Sequence, residues 1–180
     1  MKLLFPAIGI VLFTACNNND TKTTPVVNTV HATEEAAIKK AVADAYTCIS
    51  FKQGEQPKFD AVKNYFVPQA QFFNFRNDTL EYFTIDQFAA AYKEFITSNK
   101  IGSFYEEEIS GTTEQFGRIA QRISTYKTYV NTMDSVAERG VNSFQLVKTA
   151  QGWKVTSIIW DVESAKLPIP AYYLKPDSAK

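Results

Sequence analysis

Residues able to do chemistry gather in the last third of this chain, in "RIAQRISTYKTYV" and "NSFQLVKTAQGWKVTSIIWDVE". Asp161 accepts a hydrogen bond when ionised and donates one when desolvation keeps it protonated. Arg122, sharing strand parity with Ala120, Ser124 and Tyr126, offers a planar fork for holding a carboxylate bidentately. Asn142 can orient a ligand, while Phe144 and Ile159 give it apolar contact. Plainer roles stand beside these: Asp161 can pair with Asn142 or Arg139 at a strand end, and Arg122 with a cross-strand acid.

The register of the final hairpin decides whether those groups meet. A two-residue turn at Gln151-Gly152 pairs Ala150 with Trp153, which sets Phe144 opposite Ile159 and Asn142 opposite Asp161. A slip of one residue would set Lys148 against Lys154, an unfavourable like-charge pair. The favoured register puts Asn142, Phe144, Ile159 and Asp161 on one face. Val147, Ile158 and Trp160 fall on the other, among small polar residues that suit a two-fold contact between sheets, so a homodimer is expected.

Several chemistries lack their residues. His31 is the sole histidine and lies in a polar N-terminal stretch, away from any nucleophile it would activate. With two cysteines, Cys16 and Cys48, and one histidine, a zinc site of the usual nitrogen and sulfur ligands cannot be assembled. In "YEEEI", Glu106 and Glu108 share a face and Glu107 points away, which reads as a charged, edge-protecting strand. No phosphate loop or nucleotide fingerprint occurs, so no cofactor is expected. Basic and acidic residues balance at 19 each, which leaves no field to recruit nucleic acid.

The elements that must position these groups follow from periodicity. Ile38, Val42, Ala45 and Ile49 predict a helix over 33–51, and "KFDAVKNYF" predicts a short second one with Phe59, Val62 and Phe66 inward. "QAQFFNF" and "LEYFT" predict a small hairpin. Thr84 with Gln87 forms a capping box that opens a third helix, whose Phe88, Tyr92, Phe95 and Ile96 share a face. Past Ile101 the pattern becomes a four-stranded antiparallel meander. Helices grouped first and long strands later imply an α+β domain, and 14 Phe, 9 Tyr and 2 Trp can wall a pocket.

This order resembles the nuclear transport factor 2-like cone, shared by SnoaL-like cyclases and ketosteroid isomerases. The stretches "EQFGRIAQRISTY", "RGVNSFQLV", "GWKVTSIIWD" and "PIPAYYL" are similar to a bacterial lipoprotein branch of that superfamily. The resemblance implies three N-terminal helices packed on a curved, mainly antiparallel sheet over 33–174. It also implies a cavity lined by Tyr92, Phe95, Arg122, Tyr126, Asn142, Phe144, Ile159 and Asp161. Binding of a small, largely apolar molecule is the expected function. The alternative is cofactor-free isomerisation or dehydration, with Asp161 as candidate catalytic group donating to a developing oxyanion beside a tyrosine. A more remote alternative is a protein interaction module using the open sheet face.

The leading residues read separately. "MKLLFPAIGIVLFTAC" has a lysine, an apolar run and small residues before Cys16, and resembles a bacterial lipoprotein signal. Residues 1–15 are therefore expected to be removed and Cys16 lipidated, with 16–32 a flexible tether and 175–180 a disordered tail. The expected place is the bacterial cell envelope, facing periplasm or cell surface, with the lipid as the sole membrane contact.

Overall fold

The computed structural model describes residues 26–76 and 78–175. Helix α1 spans Val26–Ile49 and buries Ile38, Val42, Ala45 and Tyr46 along one stripe. It begins seven residues ahead of the expected start, so 26–32 are helical. The helix stops at Ile49 because Phe51 turns away to exchange backbone hydrogen bonds with Phe104, at 2.7 and 3.0 Å.

The expected second helix is a 3-10 segment, Phe59–Asn64. Its length is limited by strand β1, Phe66–Arg76, which takes over almost at once. Pro68 lies where the pairing of β1 shifts register, so its missing N–H interrupts no regular ladder. Strand β2, Thr79–Thr84, completes the small hairpin. Helix α2, Ile85–Ser98, opens on the Thr84–Gln87 capping box, with both reciprocal hydrogen bonds formed at 2.9 and 3.3 Å. The described residues thus hold two α-helices and two short 3-10 segments, the second being Ala171–Leu174, in place of three N-terminal helices.

Strands β3 (Phe104–Phe116), β4 (Ile119–Val130), β5 (Glu138–Thr149) and β6 (Gly152–Val162) form the expected meander. The six strands make one curved sheet in the order β2-β1-β6-β5-β4-β3. Every pairing is antiparallel except β1 with β6, which run parallel. Both α-helices pack on one face, where Ile38, Val42 and Ile85 share a core with Phe72, Phe144 and Val155. On the other face the C-terminal segment lies over β3 and β4: Thr125 donates to the Tyr173 carbonyl at 2.7 Å, and Ser110 donates to that of Lys175.

The final hairpin departs from the expected register. Thr149 pairs with Gly152 and Lys148 with Trp153, which separates Lys148 from Lys154 by a different route. A bulge at Thr156 then shifts the ladder, so that Phe144 faces Ile158 and Asn142 faces Trp160. Beyond the bulge the two faces of β6 are exchanged relative to expectation. Ile158 and Trp160 turn toward the helices, and Ile159 and Asp161 turn outward.

Candidate functional site

Between the inner face of the sheet and the two helices lies a cavity of about 550 Å³. Aromatic rings build most of its wall. Phe72 stacks on Phe88 at 4.3 Å, Trp160 meets Phe88 edge-on at 6.5 Å, and Phe104 takes the edges of Tyr92 and Phe95 at 5.9 and 6.3 Å. Such contacts add geometric order to the apolar burial. Phe95 and Glu138 line the cavity while remaining exposed, which places them at its mouth.

The polar groups concentrate on neighbouring strands β3, β4 and β5. Tyr46 of α1 reaches across to them: Asn142 Nδ2 donates to its hydroxyl at 2.8 Å, and the hydroxyl shares a second hydrogen bond with Ser124 Oγ at 2.7 Å. Tyr126 donates to Glu138 Oε1 at 2.8 Å. Thr128 donates to Glu106 Oε2 at 2.8 Å. Across the cavity, Asn74 and Glu81 stand opposite each other on β1 and β2, and the buried Asn74 Oδ1 has no hydrogen-bond partner among the described residues.

Burial sets the electrostatics. It lifts the Glu106 carboxyl to about 7, with the Thr128 hydrogen bond opposing the rise and the charge of Glu138 adding to it. Burial likewise raises Tyr46, Tyr92 and Tyr126 above the ordinary phenol value, so all three remain hydrogen-bond donors at neutral pH. The Cys48 thiol is pushed up to about 12 by burial and stays an unreactive neighbour of the core. Glu106 is therefore a group in this cavity that can exchange a proton near neutrality.

Five of the expected lining residues are brought together: Tyr92, Phe95, Tyr126, Asn142 and Phe144. The hydroxyl of Tyr92 is already committed to the Ile49 carbonyl, leaving its ring as the working surface. Three expected residues lie elsewhere. Arg122 is buried and does not line the cavity. Its Nε and Nη2 grip both oxygens of Glu108, the first at 2.8 Å, and Nη1 donates to Thr113. Ile159 and Asp161 lie on the outward side of β6 because of the bulge. Asp161, the candidate catalytic group, accepts from the Val162 backbone N–H at 2.8 Å and does not line the cavity.

Sequence reads Glu106 as part of an edge-protecting strand and does not single out Thr128, Glu138, Tyr46 or Asn74. For Glu106 a signal existed, since Phe104 and Glu106 share parity and an inward Phe104 carries Glu106 inward with it. Among the described residues, no group of three or more histidine, cysteine, aspartate or glutamate side chains is arranged to hold a metal ion.

No protein-family profile matches the chain, and no curated protein does. Solved structures match in three dimensions. A nuclear transport factor 2-like protein with a cystatin-like fold from Novosphingobium aromaticivorans is 11% identical, over 83% of this chain and 96% of its own, with a TM-score of 0.57. A protein from the same species, provisionally named a scytalone dehydratase, is 11% identical over 76% of this chain and 88% of its own, with a TM-score of 0.60. Another nuclear transport factor 2-like protein, from Shewanella baltica, is 17% identical over 75% and 98%, with a TM-score of 0.52. Identities this low speak to fold and leave activity to the site itself. With its curved six-stranded sheet and helices on one face, the chain has the nuclear transport factor 2-like fold.

Proposed function

We propose that this is a lipid-anchored protein of the bacterial cell envelope whose cavity binds a small, largely apolar molecule through its rings and orients it on the polar wall of β3 to β5. The observation that carries this is the cavity of about 550 Å³ with stacked aromatic walls and hydrogen-bonding groups gathered on one side. That combination of contact area and a few placed polar atoms is what small-molecule sites share. The anchor rests on the sequence before and at Cys16, which lies outside the described residues. No helix among the described residues is long and apolar enough to cross a membrane. Self-association through the outer face of the sheet belongs to the same proposal, centred on Ile159, Phe73 and Tyr82 in place of Ile158 and Trp160.

The test is titration of the full chain with the neutral dye Nile red, followed by fluorescence. Saturable binding to one site is expected, and Ile158→Trp should abolish it by filling the cavity from β6. Failure to bind, or equal binding by a folded Ile158→Trp variant, overturns the proposal.

A second reading is favoured by the proton affinity of Glu106. A carboxyl that titrates near 7 beside an aromatic cavity suits general acid/base work such as isomerisation or dehydration, and Tyr126 and Thr128 stand next to it as donors. The scytalone dehydratase-named neighbour is compatible with this chemistry on this fold. Mass spectrometry of the natively purified chain would identify the bound molecule. Glu106→Gln should then retain its binding and lose any conversion of it, and unchanged conversion would end the acid/base reading.

A further inference from the structure

Resting on the ligand-binding proposal above, we infer that the cavity selects organic cations, namely amines carrying at least one N–H on an apolar, ring-sized body. Three carboxylates line it, Glu81, Glu106 and Glu138, and among the described residues no lysine, arginine or histidine does. The titratable groups that interact with Glu106 come from every surrounding element. Glu138 of β5 acts on Glu106 by its charge, and Glu106 in turn acts on Tyr46 and Cys48 of α1, Tyr92 of α2 and Tyr126 of β4, with Glu108 two residues away on its own strand. None of them is basic, so no protein cation in that set offsets the carboxylate.

The acceptors are partly unused. Thr128 occupies Glu106 Oε2, and Oε1 has no hydrogen-bond partner among the described residues. Tyr126 occupies one oxygen of Glu138. Asn74 presents a buried carbonyl oxygen without a partner on the facing wall. An ammonium group supplies donors to such acceptors and a positive charge to the carboxylates. The rings of Phe88, Trp160 and Phe104 attract a cation through their negative faces while covering its apolar body. A carboxylate or phosphate ligand would meet the charge of these carboxylates with no lining cation to offset it, and the hydroxyls of Tyr126 and Thr128 are already committed to Glu138 and Glu106, so the same wall that admits an amine disfavours an acid.

The experiment compares three probes of one shape on the full chain by isothermal titration calorimetry: naphthylethylamine, naphthylethanol and naphthylacetic acid. Above neutral pH the amine should bind about ten-fold tighter than the alcohol, and the acid weakest of the three. The amine's advantage should shrink as pH falls through about 7, where Glu106 takes up its proton. In Glu106→Gln the amine should keep no more than about a two-fold advantage over the alcohol. An acid binding as tightly as the amine, or an amine gaining nothing over the alcohol, overturns the inference while leaving the apolar pocket intact. Failure of all three probes overturns the pocket itself.

Discussion

Thr128 faces Glu106 directly across the β3–β4 ladder and donates its hydroxyl hydrogen to Oε2 at 2.8 Å. A neutral donor satisfies one carboxylate oxygen without supplying a counter-charge. Desolvation therefore wins, and the carboxyl holds its proton to about pH 7. The pair defines a point on the cavity wall that is charged above neutrality and uncharged below it.

Stability should follow that titration. Glu106 keeps its proton to about 7 in the folded chain, against an ordinary carboxylate value of 4.5 once unfolded. Between those values the native state binds the extra proton. The stabilisation is therefore complete below 4.5, declines as pH rises, and is gone above about 7, a span worth about 3 kcal/mol. Denaturant melts across this window should show stability falling with pH in the wild type, and Glu106→Gln should flatten the slope. A slope that survives the substitution would assign it to other groups.

Gly140 should resist even one added carbon. A Cβ there would lie 2.7 Å from both Cε1 and Oη of Tyr126 and 2.5 Å from the Asp161 carbonyl oxygen. The glycine thus gives the Tyr126 ring its passage toward Glu138. Gly140→Ala should cost about 2 kcal/mol through overpacking and displace the phenol from the carboxylate. Tyr126→Phe should lose the hydrogen bond and keep the packing, for a cost of about 1 kcal/mol. Thermal melts that rank these two variants in the opposite order would refute the close approach.

Local signals in the sequence were legible because they are short-range. Thr84 and Gln87 cap α2 through bonds spanning three residues, and the stripe of Ile38, Val42 and Ala45 declares a helix by its spacing alone. What stayed hidden depends on distant strands. The parallel alliance of Phe72 with Ile158 joins the first strand to the last, and no local pattern announces it. The bulge at Thr156 is likewise invisible to alternation, which assumes a regular pleat. One extra residue there exchanged the faces of Ile158 and Ile159 and removed Asp161 from the site. Glu106 was misjudged for a different reason: a charge beside two others suggests solvent, while its inward neighbour Phe104 fixes the direction of the side chain.

The exchanged faces can be tested with one pair of substitutions. Ile159 is 46% exposed, so Ile159→Lys should alter stability by no more than about 0.5 kcal/mol. Ile158 packs against the core, and Ile158→Asp should cost about 3 kcal/mol by burying a carboxylate in a cavity that holds only acids among its charged groups. Equal costs would contradict the bulge. Sedimentation equilibrium on Ile159→Lys also probes the outer face, where loss of a dimer present in the wild type would support association there. A wild type that remains monomeric at high micromolar concentration removes the dimer proposal.

The proposed anchor yields a fractionation experiment. Cys16→Ala removes the thiol that would carry the lipid and leaves the folded domain untouched. The variant should move from the membrane fraction to the soluble one, and the wild type should carry lipid mass on an N-terminal cysteine. Unaltered membrane partitioning without that mass would reject lipidation at Cys16.

Arg122 should behave as a structural residue and not as a ligand anchor. Its guanidinium holds Glu108 through two nitrogens and passes over Gly111, where an added Cβ would approach Nη2 to 2.6 Å. Arg122→Ala leaves the Glu108 carboxylate without its cation in a half-buried setting, for an expected loss of about 3 kcal/mol. Arg122→Lys should recover only part of that, because an ammonium cannot reproduce the planar two-point grip. Exchanging both partners together, Arg122→Met with Glu108→Leu, should be far milder than Arg122→Ala, since no lone charge remains. Chemical denaturation of these variants gives the energies, and titration with naphthylacetic acid asks whether the arginine ever served a carboxylate ligand. Acid binding that disappears with Arg122→Lys while the fold persists would return Arg122 to the site; unchanged binding confines it to the β3–β4 frame.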